Sequence, residues 1–135
     1  MNTPNIVGDI LLVDDNPGDV RLTKELLRDA GLNPTYHVVH AGSDAVDFLL
    51  QQGEYSDAPR PDIILLDLFL GRMNGDDVIA EVADDIDNIP VVVLSGSHGF
   101  DAIQLENVKE EVDACLEKPI EPDEASDLVQ LLDKD

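Results

Sequence analysis

The sequence contains few basic residues and a single cysteine, and both scarcities narrow the functions it can serve. Eight Lys and Arg stand against 30 Asp and Glu, which gives a formal net charge of −22 at pH 7. Proteins bind nucleic acids and anionic membranes through cations that displace counterions, so we expect no nucleic acid and no membrane among its partners. One cysteine, Cys115, excludes an internal disulfide and fits a reducing compartment.

Long apolar runs and targeting features are absent as well. No apolar run approaches the roughly 18 residues that a membrane span needs. The N-terminal stretch "MNTPNIVGD" contains neither a basic region nor an apolar segment of signal-peptide length. We therefore expect a cytoplasmic protein. Its 135 residues, 43% of them hydrophobic, suit a single domain over residues 1–135 with a sizeable core.

Extreme acidity is typical of two kinds of chain, disordered segments and folded proteins from very salty cytoplasm. Disordered segments lack regular apolar patterns, whereas this sequence has them along most of its length. We therefore expect a folded domain with a carboxylate-coated surface, of the kind that halophilic organisms make.

Short apolar runs alternate with amphipathic segments along the chain. The runs predict five strands, at residues 9–15, 35–40, 62–67, 89–96 and 113–117. Apolar stripes predict five helices, which open at Asn16-Pro17, at Ser43 as a cap, near Asp76, near Ile103 and near residue 122. Strands that alternate with helices predict an α/β fold, a doubly wound parallel sheet covered on both faces, with a core over about residues 9–132.

Polar residues follow the apolar runs at four of the predicted strand ends. They are Asp14-Asp15, Asp67, Ser95 and Lys118 before Pro119. Parallel α/β sheets bind their ligands outside the carboxyl ends of the strands. If these strands are neighbours in the sheet, three carboxylates, a hydroxyl and an ammonium group converge in one cleft.

Such a cluster favours a hard divalent cation. Three adjacent carboxylates repel one another, and Mg²⁺, which prefers oxygen ligands and retains water, relieves the repulsion. Lys118 then supplies a positive charge for a phosphoryl group and Ser95 a hydrogen-bond donor. Asp67 stands between the acid pair and these two residues, so we expect it to be the nucleophile that forms an aspartyl phosphate.

The stretches "ILLVDDN", "ILLDLFLGRMNG", "VVVLSG" and "EKP" resemble, in this order, the signature motifs of response-regulator receiver domains. The resemblance extends from about Asp9 to Leu132. It implies a flavodoxin-like fold, in which a five-stranded parallel sheet of order 2-1-3-4-5 lies between five helices. It also implies that Asp67 is the phosphoacceptor and that Ser95 and Lys118 contact the phosphoryl group. The Mg²⁺ ligands that it implies are Asp14, Asp15, Asp67 and the backbone carbonyl of Phe69.

Two features depart from the best-known receivers. Cys115 stands three residues before Lys118, where these receivers carry the Tyr or Phe that reports phosphorylation. The loop 52–61 is long and polar, and it is similar to the loop of stand-alone receivers that are paired with phytochrome-type sensor kinases. The resemblance therefore implies the chemistry at Asp67 more directly than the route by which the signal leaves it.

The resulting hypothesis is a response regulator that a sensor histidine kinase phosphorylates on Asp67. It would act on a separate partner as a monomer or homodimer and would transform no external metabolite. A first alternative is a phosphatase of the haloacid dehalogenase type, which needs a second Asp where this chain has Phe69. A second alternative is a phosphorylation-independent interaction module of the same fold. Cys115 favours the module, whereas the complete acid, serine and lysine set opposes it.

Overall fold

The structure, a computed structural model, alternates strands and helices as the apolar pattern predicts. It describes residues 8–31, 34–68, 70, 73–86, 88–95, 110–117, 120–121, 123–124 and 127–128. The strands are β1 (Asp9–Val13), β2 (Thr35–Val39), β3 (Ile63–Asp67), β4 (Val91–Ser95) and β5 (Ala114–Glu117). The helices are α1 (Pro17–Asp29), α2 (Gly42–Leu50) and α3 (Gly75–Val82), with 3-10 helices at Gly53–Tyr55 and Ala83–Asp85.

The five strands form one parallel sheet in the order β2-β1-β3-β4-β5. Both the five-stranded parallel sheet and its order are therefore confirmed. In the register of the sheet, Leu12 of β1 lies beside Val38 of β2 and Leu65 of β3. The strands β2 and β5 are the edges, and every neighbouring pair is joined through a crossover because parallel strands cannot be linked by a hairpin.

Alternate residues of the central strands enter two separate apolar cores, one on each face of the sheet. One core joins Leu11, Ile64 and Val93 to the helices α2 and α3. The other joins Leu12, Leu65 and Val92 to α1 and to Ile120 and Leu128. Successive side chains of a strand point to opposite faces, so a strand covered on both sides is apolar throughout. This explains the uninterrupted apolar runs of the sequence.

The start of α1 follows the predicted cap. The side-chain oxygen of Asn16 accepts hydrogen bonds from the backbone N–H groups of Gly18 at 2.9 Å and Asp19 at 3.2 Å. Pro17 occupies the first helical position, where the missing N–H has no intrahelical partner in any case. The helix then buries Val20, Thr23 and Leu27 against the sheet.

Three predicted boundaries are wrong in detail. The first strand ends at Val13 rather than at residue 15, so both following acids lie in the turn that leads to α1. Ser43 does not cap α2, because the helix already begins at Gly42. Ala41 precedes the helix and makes no side-chain cap hydrogen bond, so this boundary carries no cap signal. Gly42 packs closely, since a Cβ built there would lie 2.9 Å from the Cβ of Met73. The helix α3 begins at Gly75, one residue before the predicted Asp76.

The loop 52–61 has more structure than its polar composition predicts. It contains the 3-10 helix Gly53–Tyr55, whose Tyr55 ring packs 5.6 Å from that of Phe48, measured between ring centroids. Tyr55 is half-buried against the core on the α2 side of the sheet. An aromatic anchor therefore ties this loop to the domain.

The predicted fourth helix lies outside the described residues, apart from its C-terminal end near residue 110. Of the predicted last helix, 122–133, residues 123–124 and 127–128 are described, and these four are helical. Within the described ranges, three α-helices are complete, and the count of five stays a prediction. No helix in this part of the chain is both long and apolar enough to cross a membrane.

A pair of matched substitutions in α1 tests the assignment of the core. Leu27 is 0% exposed, whereas Leu22 is 41% exposed on the same helix. We expect Leu27→Ala to lower the free energy of unfolding by about 2–5 kcal/mol, since it leaves a cavity. We expect Leu22→Ala to change it by no more than about 0.5 kcal/mol. Urea denaturation followed by circular dichroism measures both, and equal losses would contradict the assignment.

Candidate functional site

The order of the sheet brings together four strand ends that the sequence marks with polar residues. The strands β1, β3, β4 and β5 are consecutive neighbours, so their carboxyl ends share one edge of the sheet. Asp67 is the last residue of β3 and lies beside Leu94, while Ser95 ends β4 and lies beside Glu117. This edge is where parallel α/β sheets bind their ligands.

Three carboxylates cluster at this edge. One carboxylate oxygen each from Asp14, Asp15 and Asp67 lies within 4.8 Å of the other two. Asp14 is 0% exposed and Asp67 is 5% exposed, whereas Asp15 is open to solvent. Burial of a carboxylate without compensating charge or hydrogen bonds is strongly unfavourable. The cluster is therefore an arrangement that a cation stabilises, with Asp15 on its accessible side.

Asp14 is held by contacts from the backbone and from β2. Its N–H donates to the carbonyl of Val39 at 3.1 Å, and its Oδ1 accepts the N–H of Asn16 at 2.9 Å. The Nδ1 of His40 lies 3.0 Å from the carbonyl oxygen of Asp14 and donates to it when the proton is on that nitrogen. The sequence provides no signal for this role of His40, because the contact joins the ends of two different strands.

Asp67 is held by the close approach of α3. The N–H of Leu68 donates to Leu94 at 2.9 Å, and the N–H of Gly75 donates to the carbonyl of Leu68 at 2.8 Å. A Cβ on Gly75 would lie 2.9 Å from the carbonyl oxygen of Asp67 and 3.1 Å from the Cα of Leu68. Both neighbours are backbone atoms that side-chain motion cannot displace, so only glycine allows α3 to begin here.

The acid cluster fits a small divalent cation. Mg²⁺ binds oxygen ligands at about 2.0–2.1 Å in an octahedral arrangement, so opposite ligands lie about 4.2 Å apart. The spread of the three oxygens, within 4.8 Å, is close to this span. Their carboxylate chemistry suits Mg²⁺ or Mn²⁺ better than a soft metal. The residues present therefore fit the metal that the sequence predicts.

Three of the predicted site residues have side chains that the structure does not describe. Phe69 and Lys118 lie outside the described residues, and so does the side chain of Ser95. The backbone of Ser95 ends β4 next to β3, and β5 ends at Glu117, directly before Lys118. The roles predicted for these three residues stay predictions.

Cys115 lies on the edge strand β5 and is exposed. Nearby protein atoms desolvate its sulfur and raise the pKa of the thiol above its ordinary value. The thiol is therefore protonated at neutral pH, which lowers its reactivity as a nucleophile or metal ligand.

Comparison with known proteins agrees with this geometry. The family described as "Response regulator receiver domain" matches residues 10–130. The chain is 42% identical over 104 residues to the response regulator Rcp1 of Synechocystis sp., and the alignment covers 76% of this chain and 69% of that protein.

Two solved structures extend the similarity to the fold. One is the Mn²⁺-bound form of response regulator Rcp1, with a TM-score of 0.71 at 38% identity, covering 91% of this chain and 89% of that one. The other is the phosphorylated cyanobacterial phytochrome response regulator RcpA, with a TM-score of 0.72 at 37% identity and coverages of 91% and 89%. The family match spans most of the sequence and includes the strand ends that carry the acid cluster. The chain therefore belongs to the family of response regulator receiver domains.

Proposed function

We propose that this receiver accepts a phosphoryl group from a sensor histidine kinase on Asp67, with Mg²⁺ bound beside it. The observation that carries the proposal is the position of Asp67. It ends a fully buried strand, and its carboxylate lies within 4.8 Å of the carboxylates of Asp14 and Asp15. A strand that aims a buried acid into a cation site is suited to phosphoryl chemistry and has no evident use in packing.

The proposed Mg²⁺ ligands are Asp14, Asp15, Asp67 and the backbone carbonyl of Phe69. When bound, the ion neutralises charge that develops on the transferring phosphoryl oxygens. Asp14 and Asp67 are buried and enter the site preorganised by their backbone contacts. The Mn²⁺-bound form of Rcp1 supports a divalent cation at the corresponding acids of this chain.

The proposed transfer conserves charge and protons. A carboxylate oxygen of Asp67 forms the new bond to phosphorus, and the phosphorus–nitrogen bond of a phosphohistidine on the kinase breaks. The imidazole nitrogen keeps the electron pair and takes up a proton. Lys118 and Ser95 then hold the oxygens of the aspartyl phosphate through an ion pair and a hydrogen bond. Water later hydrolyses the acyl phosphate slowly, so the receiver catalyses only its own modification.

The similarity to a phytochrome response regulator supports a kinase of the phytochrome type. We infer that residues 1–135 form one receiver domain that works in the cytoplasm as a monomer or homodimer and binds neither nucleic acid nor membrane. Its output passes to a separate protein through the face around β5, roughly residues 99–133. On that face, Cys115 stands where the best-known receivers carry a Tyr or Phe that rotates when the hydroxyl at the position of Ser95 moves. The surface change in this chain therefore does not require rotation of an aromatic ring.

Phosphorylation by a small donor tests the proposal. We expect acetyl phosphate and Mg²⁺ to produce a phosphoryl adduct on the wild-type protein that hydroxylamine removes, as it removes acyl phosphates. Asp67→Asn should form no adduct, because an amide is not a nucleophile toward phosphorus. Asp57→Asn is the matched control, since Asp57 is an exposed acid in the loop 52–61. Intact-mass spectrometry measures the phosphoryl adduct on all three proteins.

An adduct that persists in Asp67→Asn, or that forms equally without Mg²⁺, would contradict the proposed chemistry. A folded wild-type protein that forms no adduct with acetyl phosphate or with a phosphorylated kinase would favour the phosphorylation-independent module.

The metal site makes a separate prediction about stability. A ligand present at about 100 times its Kd stabilises the folded state by about 2.7 kcal/mol. We expect Mg²⁺ to raise the Tm of the wild-type protein and of Asp57→Asn, compared with NaCl at equal ionic strength. Asp15→Asn should lose most of this rise, because one ligand and one charge are gone. Thermal unfolding followed by circular dichroism measures the shifts, and an undiminished Mg²⁺ response in Asp15→Asn would exclude Asp15 as a ligand.

A further inference from the structure

A basic groove lies between α1 and the edge strand β2, outside the acid cluster. Its volume is about 520 Å³, and its lining includes Arg21, Lys24, Glu25 and Arg28 from the helix and Tyr36 from the strand. None of the three clustered acids lines it. The groove is therefore a second polar surface, which the phosphorylation chemistry does not use.

The charge of this groove is opposite to that of the whole protein. Arg21, Lys24 and Arg28 are three of only eight basic residues in a chain with a net charge of −22. Within the described part of the chain, no carboxylate lies within 4.0 Å of any of these three cations. Glu25 offsets one of the charges and leaves the lining net positive. A strongly acidic protein thus concentrates three cations here that form no ion pair with any described residue.

Tyr36 lines the groove from the side of β2. The ammonium of Lys24 lies 5.1 Å from the centre of the Tyr36 ring, within reach of a cation–π interaction. The Tyr36 hydroxyl is buried and makes no hydrogen bond to the residues that the structure describes. Burial raises the pKa of Tyr36 to about 12, although the charge of Arg28 acts in the opposite direction. The phenol therefore stays protonated, and its ring supports the ammonium of Lys24 in the groove.

The neighbouring edge of β2 has no partner among the described strands. The N–H of Thr35 donates to Gly8, and the carbonyl of Val39 accepts from Asp14, so these positions of β2 face β1. Residues of a strand alternate in direction, and Tyr36 and Val38 therefore turn their backbone N–H and C=O groups away from β1. No described strand pairs with this side of β2. An extended peptide can add to such an edge through backbone hydrogen bonds.

The spacing of the cations suits an extended chain. At a rise of 1.5 Å per residue, Arg21, Lys24 and Arg28 follow one another along α1 at about 4.5 and 6 Å. Alternate side chains of a strand repeat at about 6.6 Å, which flexible Lys and Arg side chains can match. A second copy of this chain at the same edge would place like charges opposite each other. Nucleic acid has no peptide N–H and C=O groups with which to extend the β2 edge.

We propose that this groove binds an extended, carboxylate-rich segment of a partner protein, which adds to the β2 edge. Alternate carboxylates of the segment contact Arg21, Lys24 and Arg28. The interaction needs no phosphoryl group on Asp67, so it can be tested independently of the proposed phosphorylation.

Binding of a fluorescein-labelled oligoglutamate peptide, followed by anisotropy, tests the proposal at the lowest salt that keeps the protein folded. We expect the triple variant Arg21→Gln, Lys24→Gln, Arg28→Gln to bind at least about tenfold more weakly, because three charge contacts are lost. The matched control is Arg60→Gln, an exposed cation outside the groove, which should change the affinity by less than about twofold. Circular dichroism and acetyl phosphate labelling verify the fold of each variant.

Two further measurements separate the parts of the proposal. Tyr36→Phe removes only the buried hydroxyl and should change the affinity by less than about twofold, because the ring beneath Lys24 is kept. Hydrogen exchange should show that bound peptide protects the amides of Tyr36 and Val38. If the triple variant does not fold, Lys24→Gln alone is used, with a loss of about threefold expected.

Several outcomes would overturn the proposal. They are equal losses in the groove variant and in Arg60→Gln, equal affinity for an oligoglutamine peptide, and no protection of the β2 amides. Tighter binding of a single-stranded DNA of matched charge would assign the groove to nucleic acid instead.

Discussion

A parallel sheet that is covered by helices on both faces leaves no place for a charge until a strand ends, and the rest of this structure depends on that constraint. The side chains of β3 from Ile63 to Leu66 enter the two cores in alternation, and each is almost fully buried. Asp67 continues the same strand at the first position where the edge of the sheet supplies polar neighbours. The order of the strands then sets Asp67 beside the acids that follow β1. The apolar sheet thus holds the proposed phosphoacceptor in place, because any shift of β3 would disturb both cores at once.

The acid cluster also illustrates a conflict between folding and function. Three carboxylates within 4.8 Å destabilise a metal-free fold, and the negative charge of the whole chain adds to their repulsion. The same field attracts divalent cations to the site and raises their local concentration. The groove between α1 and β2 reverses this pattern on a small scale, because Arg21, Lys24 and Arg28 of α1 line it. The acidic domain therefore has two polar surfaces of opposite charge, for which we propose different kinds of ligand.

Much of the architecture was readable from local patterns. The apolar pattern located all five strands to within two residues, and it is continuous in the central strands β1, β3 and β4 because burial on both faces removes polar residues from their interiors. The Asn16-Pro17 pair predicted the start of α1, since a cap and a first-turn proline act through neighbouring residues. The failure at Ser43 has the opposite origin. The helix α2 begins after Ala41, which makes no side-chain cap hydrogen bond, so no local cap residue marks this boundary.

The sequence by itself therefore determined which residues form strands, which acids end them and that these acids suit a divalent cation. Only the tertiary structure decided which strand ends are neighbours, how closely the three carboxylates approach, and that His40 contacts the backbone of Asp14. It also decided that three cations of α1 share a groove with Tyr36 of β2. The physical reason is the same in each case. Helical and strand periodicity follow from bonds between residues near in the chain, whereas distances between separate elements depend on how the crossovers pack them against a common sheet.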